Sequence, residues 1–112
     1  MSNSIVPQRI IDLESRILRS LCRGKESTEL RQRVTQNLAE YAWRVPEHGV
    51  VYEAVTRIRE QDPGSLREQL PPQATRMGFP DVDWSHYLDG SEGTEQSLED
   101  MVRDLISDTA GS

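Results

Sequence analysis

Cysteine, aromatic residues and long apolar runs are all scarce in this chain. Cys22 is the one cysteine in 112 residues, which excludes an intramolecular disulfide and a zinc site built from several thiolates. Aromatic residues make up 5% of the sequence and hydrophobic residues 35%, against roughly 45–50% apolar, glycine included, in an average globular domain. A chain of this length can bury a core, but here a small one. No apolar run approaches the ~18 residues of a membrane span, and none resembles a secretory leader. The expectation is a soluble, cytoplasmic protein with no membrane partner. The phosphate-binding patterns GxxxxGK[ST] and GxGxxG are absent. Ser27, Ser65 and Ser85 have no nucleophile-elbow surroundings.

Charge is present in quantity but unevenly placed. Residues 1–60 hold ten Lys/Arg and eight Asp/Glu, whereas residues 61–112 hold three Arg and eleven Asp/Glu, within a net charge of −6. An acidic half repels phosphate backbones, which disfavours direct nucleic-acid binding. Arg16, Arg19, Arg23 and Lys25 form a basic stripe near a helix end, where cations complement the helix dipole without any ligand.

The dominant pattern is helical. Ile10, Ile11, Leu13, Ile17, Leu18 and Leu21 show recurring spacings of three, four and seven, the period of a helix with one buried face. With Pro7 before this run and Gly24 after it, the first helix is predicted over 8–23. Leu30, Val34, Leu38 and Tyr41 continue the spacing in a second helix over 27–43, opened by Ser27 or Thr28 as N-cap. Pro46 ends it, because a proline disfavours helical geometry at the residue before it. A third helix is predicted over 47–60. DPGS at 62–65 is a turn signal, and Ser65 caps a short helix that Pro71-Pro72 stops after Leu70.

Helical turns near 72–78 and 82–88 follow, with Met77, Phe79, Val82, Trp84, Tyr87 and Leu88 wrapping the bundle. GSEG at 90–93 reads as a linker spanning 89–94. Thr94 then caps a C-terminal helix at about 95–108, with Leu98, Met101, Val102, Leu105 and Ile106 on one side. The fold class is therefore all-α, a small helical bundle. The bundle domain is assigned to 1–88, its segment 62–88 wrapping irregularly, and the C-terminal helix and tail to 95–112. That last helix either packs on the same domain or is presented outward.

Residues that carry chemistry elsewhere have plainer roles here. His48, near Glu47 and Glu53, has no nucleophile or second ligand close in sequence. Asp81, Asp83 and His86 in DVDWSH offer two carboxylates and an imidazole, but their spacing fits neither an EF-hand nor a zinc-protease helix. Asp81 and Asp83 suit turn and cap positions. Tyr41, Trp43 and Tyr52 lack the basic groove that accompanies a base-stacking platform. No catalytic, cofactor or metal site is assigned, and the chain reads as a non-enzyme.

Two stretches, ESRILRSLC (Glu14 to Cys22) and YAWRVPEHGVVYEAV (Tyr41 to Val55), carry a family resemblance. The first is similar to the opening helix of the N-terminal domain of DnaB-type replicative helicases. The second resembles that family's aromatic-x-x-Pro-x-His-x-x-Ile/Val-Phe/Tyr-x-Ala pattern, with Pro46, His48, Val51, Tyr52 and Ala54 in the patterned places. The resemblance covers about residues 8 to 60, and no ATPase motif accompanies it. It implies an all-helical bundle that docks proteins, among them primase or loader proteins, rather than a motor.

The expected function is a non-enzymatic protein–protein interaction domain, an adaptor in DNA replication whose partner is a replicative helicase, primase or loader. The expected contact residues are Tyr41, Trp43, Val45 and Tyr52, together with the C-terminal helix. The alternative is a self-associating structural or regulatory protein whose seam is Leu98, Leu105 and their neighbours.

Overall fold

A computed structural model of the chain describes residues 8–23, 28–60, 62–88 and 97–110. Among these, all regular structure is helical: α1 (Gln8–Arg23), α2 (Thr28–Asn37), α3 (Pro46–Arg57), α4 (Pro63–Arg76), α5 (Trp84–Leu88) and α6 (Leu98–Ala110). The radius of gyration, 13.7 Å, is close to the ~13 Å of a folded 100-residue domain. No described helix is long and apolar enough to cross a membrane. The linker assigned to 89–94, the Thr94 cap, Gly24 and Ser27 lie outside the described residues.

The central element is α1, which matches its predicted span. Its stripe of Ile10, Leu13, Ile17, Leu18 and Leu21 is buried, and α3, α4, α5 and α6 all pack against it. Full burial of an aliphatic side chain of this size contributes about 1.5–3 kcal/mol. One residue breaks the apolar character of that face, the buried Glu14, while Cys22 packs as part of the core. α6 lies along α1 and also meets α2, burying Leu98, Met101, Val102 and Leu105. Arg33 reaches Glu99 at 2.8 Å across the α2–α6 boundary, and Arg9 bonds to Asp108 near the far end of α6. The Ser97 hydroxyl accepts the Asp100 N–H at 3.2 Å, an N-cap that starts α6 where it is seen.

Three predicted boundaries require correction. α2 stops at Asn37 rather than Trp43, and Leu38–Glu40 form a turn closed by Leu38 N–H to Val34 O and Tyr41 N–H to Leu38 O. Tyr41 and Trp43 thus sit in a loop, although their spacing reads as helix. α3 starts on Pro46, with extended Val45 before it, and ends at Arg57 rather than at residue 60. Ile58 turns extended yet stays buried, which draws the chain out of the helix.

α4 is the largest departure. It starts earlier than predicted, capped by the Asp62 carboxylate, which accepts the Ser65 N–H at 2.9 Å. It then runs through Pro71 and Pro72 to Arg76. Each interior proline costs about 3 kcal/mol through a lost hydrogen bond and a clash. Leu66 and Leu70 before the pair and Ala74 after it are fully buried on one face. That continuous apolar contact offsets the penalty.

Candidate functional site

The loop between α2 and α3 is held by one buried carboxylate. Glu14, on α1, is fully buried. Its Oε2 accepts from the Tyr41 hydroxyl at 2.5 Å and from the Arg44 backbone N–H at 2.8 Å, and its Oε1 lies 2.8 Å from His48 Nδ1. Burial alone pushes the Glu14 carboxyl up, but bonds from His48, Tyr41 and the Arg44 N–H outweigh it and hold the group below its ordinary value. The ionised carboxylate only accepts, so Nδ1 of His48 carries the proton. Burial, then donation to Glu14, raises the pKa of the Tyr41 phenol.

Burying a charge costs several kcal/mol, and three charge-assisted bonds of about 1.5–3 kcal/mol each offset that cost. The network therefore acts chiefly on geometry: it fixes the path of residues 41–48. Tyr87, buried on α5, covers the His48 ring at 6.4 Å between centroids and donates to Glu47 at 2.7 Å.

Above this anchor Tyr41, Trp43 and Tyr52 form one cluster. Trp43 meets Tyr41 edge-to-face at 5.0 Å and Tyr52 at 5.1 Å, separations at which ring pairs contribute about 0.5–1.5 kcal/mol beyond burial. Tyr52 also donates to Thr35 O at 3.3 Å, which ties α3 to α2. Gly49 lies under Trp43, and a Cβ built there would rest 3.7 Å from that of Trp43, an ordinary contact. The Trp43 indole N–H is buried without a hydrogen-bond partner among the described residues.

The cluster forms one wall of an open groove of about 510 Å³, whose other wall is Met77 and Phe79. Phe79 is 48% exposed, the one large hydrophobic side chain so placed among the described residues. Its position follows from the end of α4. Gly78 takes φ +95°, Gly78 N–H bonds to Thr75 O and Phe79 N–H bonds to Ala74 O. That pair of bonds is the glycine-dependent Schellman termination, and it sets Phe79 on the rim rather than in the core.

Of the four predicted contact residues, Tyr41, Trp43 and Tyr52 come together in the groove. Val45 does not line it; half-buried, it is the N-cap of α3, and its carbonyl accepts from His48 N–H and Gly49 N–H. Sequence reasoning missed the second wall, although the glycine in MGFP marks a helix end that redirects Met77 and Phe79. It also gave Glu14 no buried role, although that carboxylate stands inside an apolar stripe and opens the first resembling stretch. The C-terminal helix spends its apolar face on α1 and α2.

Asp81, Asp83 and His86 do not assemble, and no group of three His, Cys, Asp or Glu able to hold a metal ion occurs among the described residues. Asp83 accepts from the Ser85 hydroxyl at 2.6 Å, in a turn ahead of α5. His86 Nε2 lies 2.9 Å from Ser15 Oγ on α1. Burial pushes the Cys22 thiol up to about 12, so it is inert.

No protein-family model, curated protein or solved structure matches this chain.

Proposed function

We propose that this chain is a non-enzymatic protein-docking module whose contact surface is the groove between the α2–α3 corner and the end of α4. The observation that carries the reading is the placement of Trp43, Tyr41 and Tyr52 opposite a half-exposed Phe79. Aromatic anchors of this kind dominate interface energies. The resemblance to the helicase N-terminal domain points the same way. Two of the residues that carry it, Glu14 and His48, make the buried contact that holds the groove's loop. By that resemblance, the partner is a component of the replication machinery: helicase, primase or loader.

Self-association through the C-terminal helix is the weaker reading, because Leu98 is 2% and Leu105 0% exposed within the bundle. The test is direct binding of the chain to the separately purified helicase, primase and loader of its own organism. Saturable binding to one of them, lost in Trp43→Ala with helicity unchanged, is expected. No binding to any of the three removes the replication assignment. Binding that survives Trp43→Ala removes the groove.

A further inference from the structure

Trp43 lies over Gly49 of α3, and Glu53 follows Gly49 by one helical turn, the spacing that puts two positions on the same side of a helix. Trp43 and Glu53 both line the aromatic groove. Trp43 stands at 87° to Tyr41 and at 38° to Tyr52, so the three rings form a corner rather than a flat stack. The hydrogens of the polar lining side chains are spent inside the protein. The Tyr41 and Tyr52 hydroxyls donate to Glu14 and to Thr35 O, and the Thr56 hydroxyl donates to Glu53 O. The Trp43 indole N–H is buried. What these side chains can offer a ligand is therefore aromatic ring surface, hydroxyl lone pairs and a carboxylate. Arg57 holds one oxygen of Glu53 at 2.6 Å, and a carboxylate has about four acceptor positions on its two oxygens, so the group can take a second cation.

We propose that the segment docked in the groove places an arginine side chain over Trp43, with its guanidinium turned to Glu53. The proposal rests on the docking reading of the groove, and the apolar part of the segment then lies against Met77 and Phe79. Charge complementarity selects the occupant. A cation is attracted to the face of an aromatic ring, most strongly to that of tryptophan. The net charge of the chain, −6, draws cationic partners and repels acidic ones. Arginine fits better than lysine, because a planar, weakly hydrated guanidinium stacks flat on a ring while its N–H groups reach a carboxylate.

The full chain, labelled with nitrogen-15, is titrated with N-acetylarginine amide, N-acetylcitrulline amide and tetramethylammonium chloride, with sodium chloride holding the ionic strength constant. Citrulline has the shape of arginine without its charge. Saturable shifts of the Trp43 indole and of the Gly49–Glu53 amides are expected with the arginine probe at about 1 mM, the scale for so small a ligand. Affinity for the citrulline probe should be about fivefold lower, the scale of a cation over exposed rings. Glu53→Gln should weaken the arginine probe about threefold, as for one exposed ion pair. Glu53 is exposed, so this variant folds. No saturation by the arginine probe, or undiminished affinity in Glu53→Gln, overturns the proposal. Saturation by tetramethylammonium and not by arginine overturns it in favour of a free ammonium ligand. Equal affinity for arginine and citrulline overturns it while leaving the docking reading in place, which binding of the replication proteins to Trp43→Ala tests separately.

Discussion

Glu14 and His48 are thirty-four residues apart in the chain and meet at 2.8 Å in the core. Through this contact the first helix sets the position of the loop that carries Trp43.

Glu14→Gln keeps the shape but removes the charge, and should cost about 1–3 kcal/mol in urea denaturation, the range for weakening hydrogen bonds to a buried charged group. Stability should also depend on acid through this group. Its folded value is lowered from an ordinary 4.5, so the unfolded chain binds the proton more readily. The contribution is complete above 4.5 and is lost as pH falls through the folded value. Unfolding free energies from pH 7 to 3 should fall less steeply in Glu14→Gln than in the natural chain. Equal slopes would show that Glu14 is not the titrating group.

The tyrosines act at the opposite end of the pH scale. Burial raises Tyr41 and Tyr87 above their ordinary 10.0, so the unfolded chain ionises first. Their contribution is complete below 10 and declines as pH rises towards the folded values. Alkaline denaturation, followed by the 295 nm phenolate band, should show tyrosine ionisation arriving together with loss of helicity.

Trp43 allows two substitutions with opposite expectations. Trp43→Phe keeps the ring stacking and deletes an indole N–H that lacks a partner, so stability should hold or rise by about 1 kcal/mol. Trp43→Ala should cost about 2 kcal/mol, below the 3–5 kcal/mol of a fully buried tryptophan because this one is partly exposed. Thermal unfolding of both variants checks the pair.

Pro72 is exposed within α4. Pro72→Ala restores a backbone donor, and about 3 kcal/mol of helix penalty is relieved against up to ~1 kcal/mol of unfolded-chain entropy. A net gain of about 2 kcal/mol is expected by chemical denaturation. A loss would mean that the helix geometry around the proline pair is itself needed by the packing.

The parts of the fold read correctly from the sequence are those governed by one local rule. α1 has a strong apolar period, broken on its buried face by Glu14, and both of its ends fall where expected. Pro46 opens α3 because its fixed φ suits the first helical position. The failures occur where a distant residue overrides the local pattern. Tyr41 keeps a helical spacing from Leu38, but its hydroxyl is taken by Glu14, twenty-seven residues back. The Pro71-Pro72 pair reads as a stop, and only the burial of Leu66, Leu70 and Ala74 by other helices reverses that. At the candidate site, the Tyr41–Trp43–Tyr52 wall was legible as a cluster of rings. Phe79 was not assigned to it, because nothing local brings the end of α4 opposite α3.

Phe79 provides the most direct test of the docking surface, since it lines the groove while standing 48% exposed. Phe79→Asp should leave the unfolding temperature within a few degrees of the natural chain, as surface substitutions usually do. Calorimetric titration against the helicase, primase or loader that binds the natural chain should then show affinity reduced by about thirtyfold or more, equivalent to a hot-spot loss of about 2 kcal/mol. Undiminished affinity in a folded Phe79→Asp protein would contradict the assignment of the groove as the docking surface.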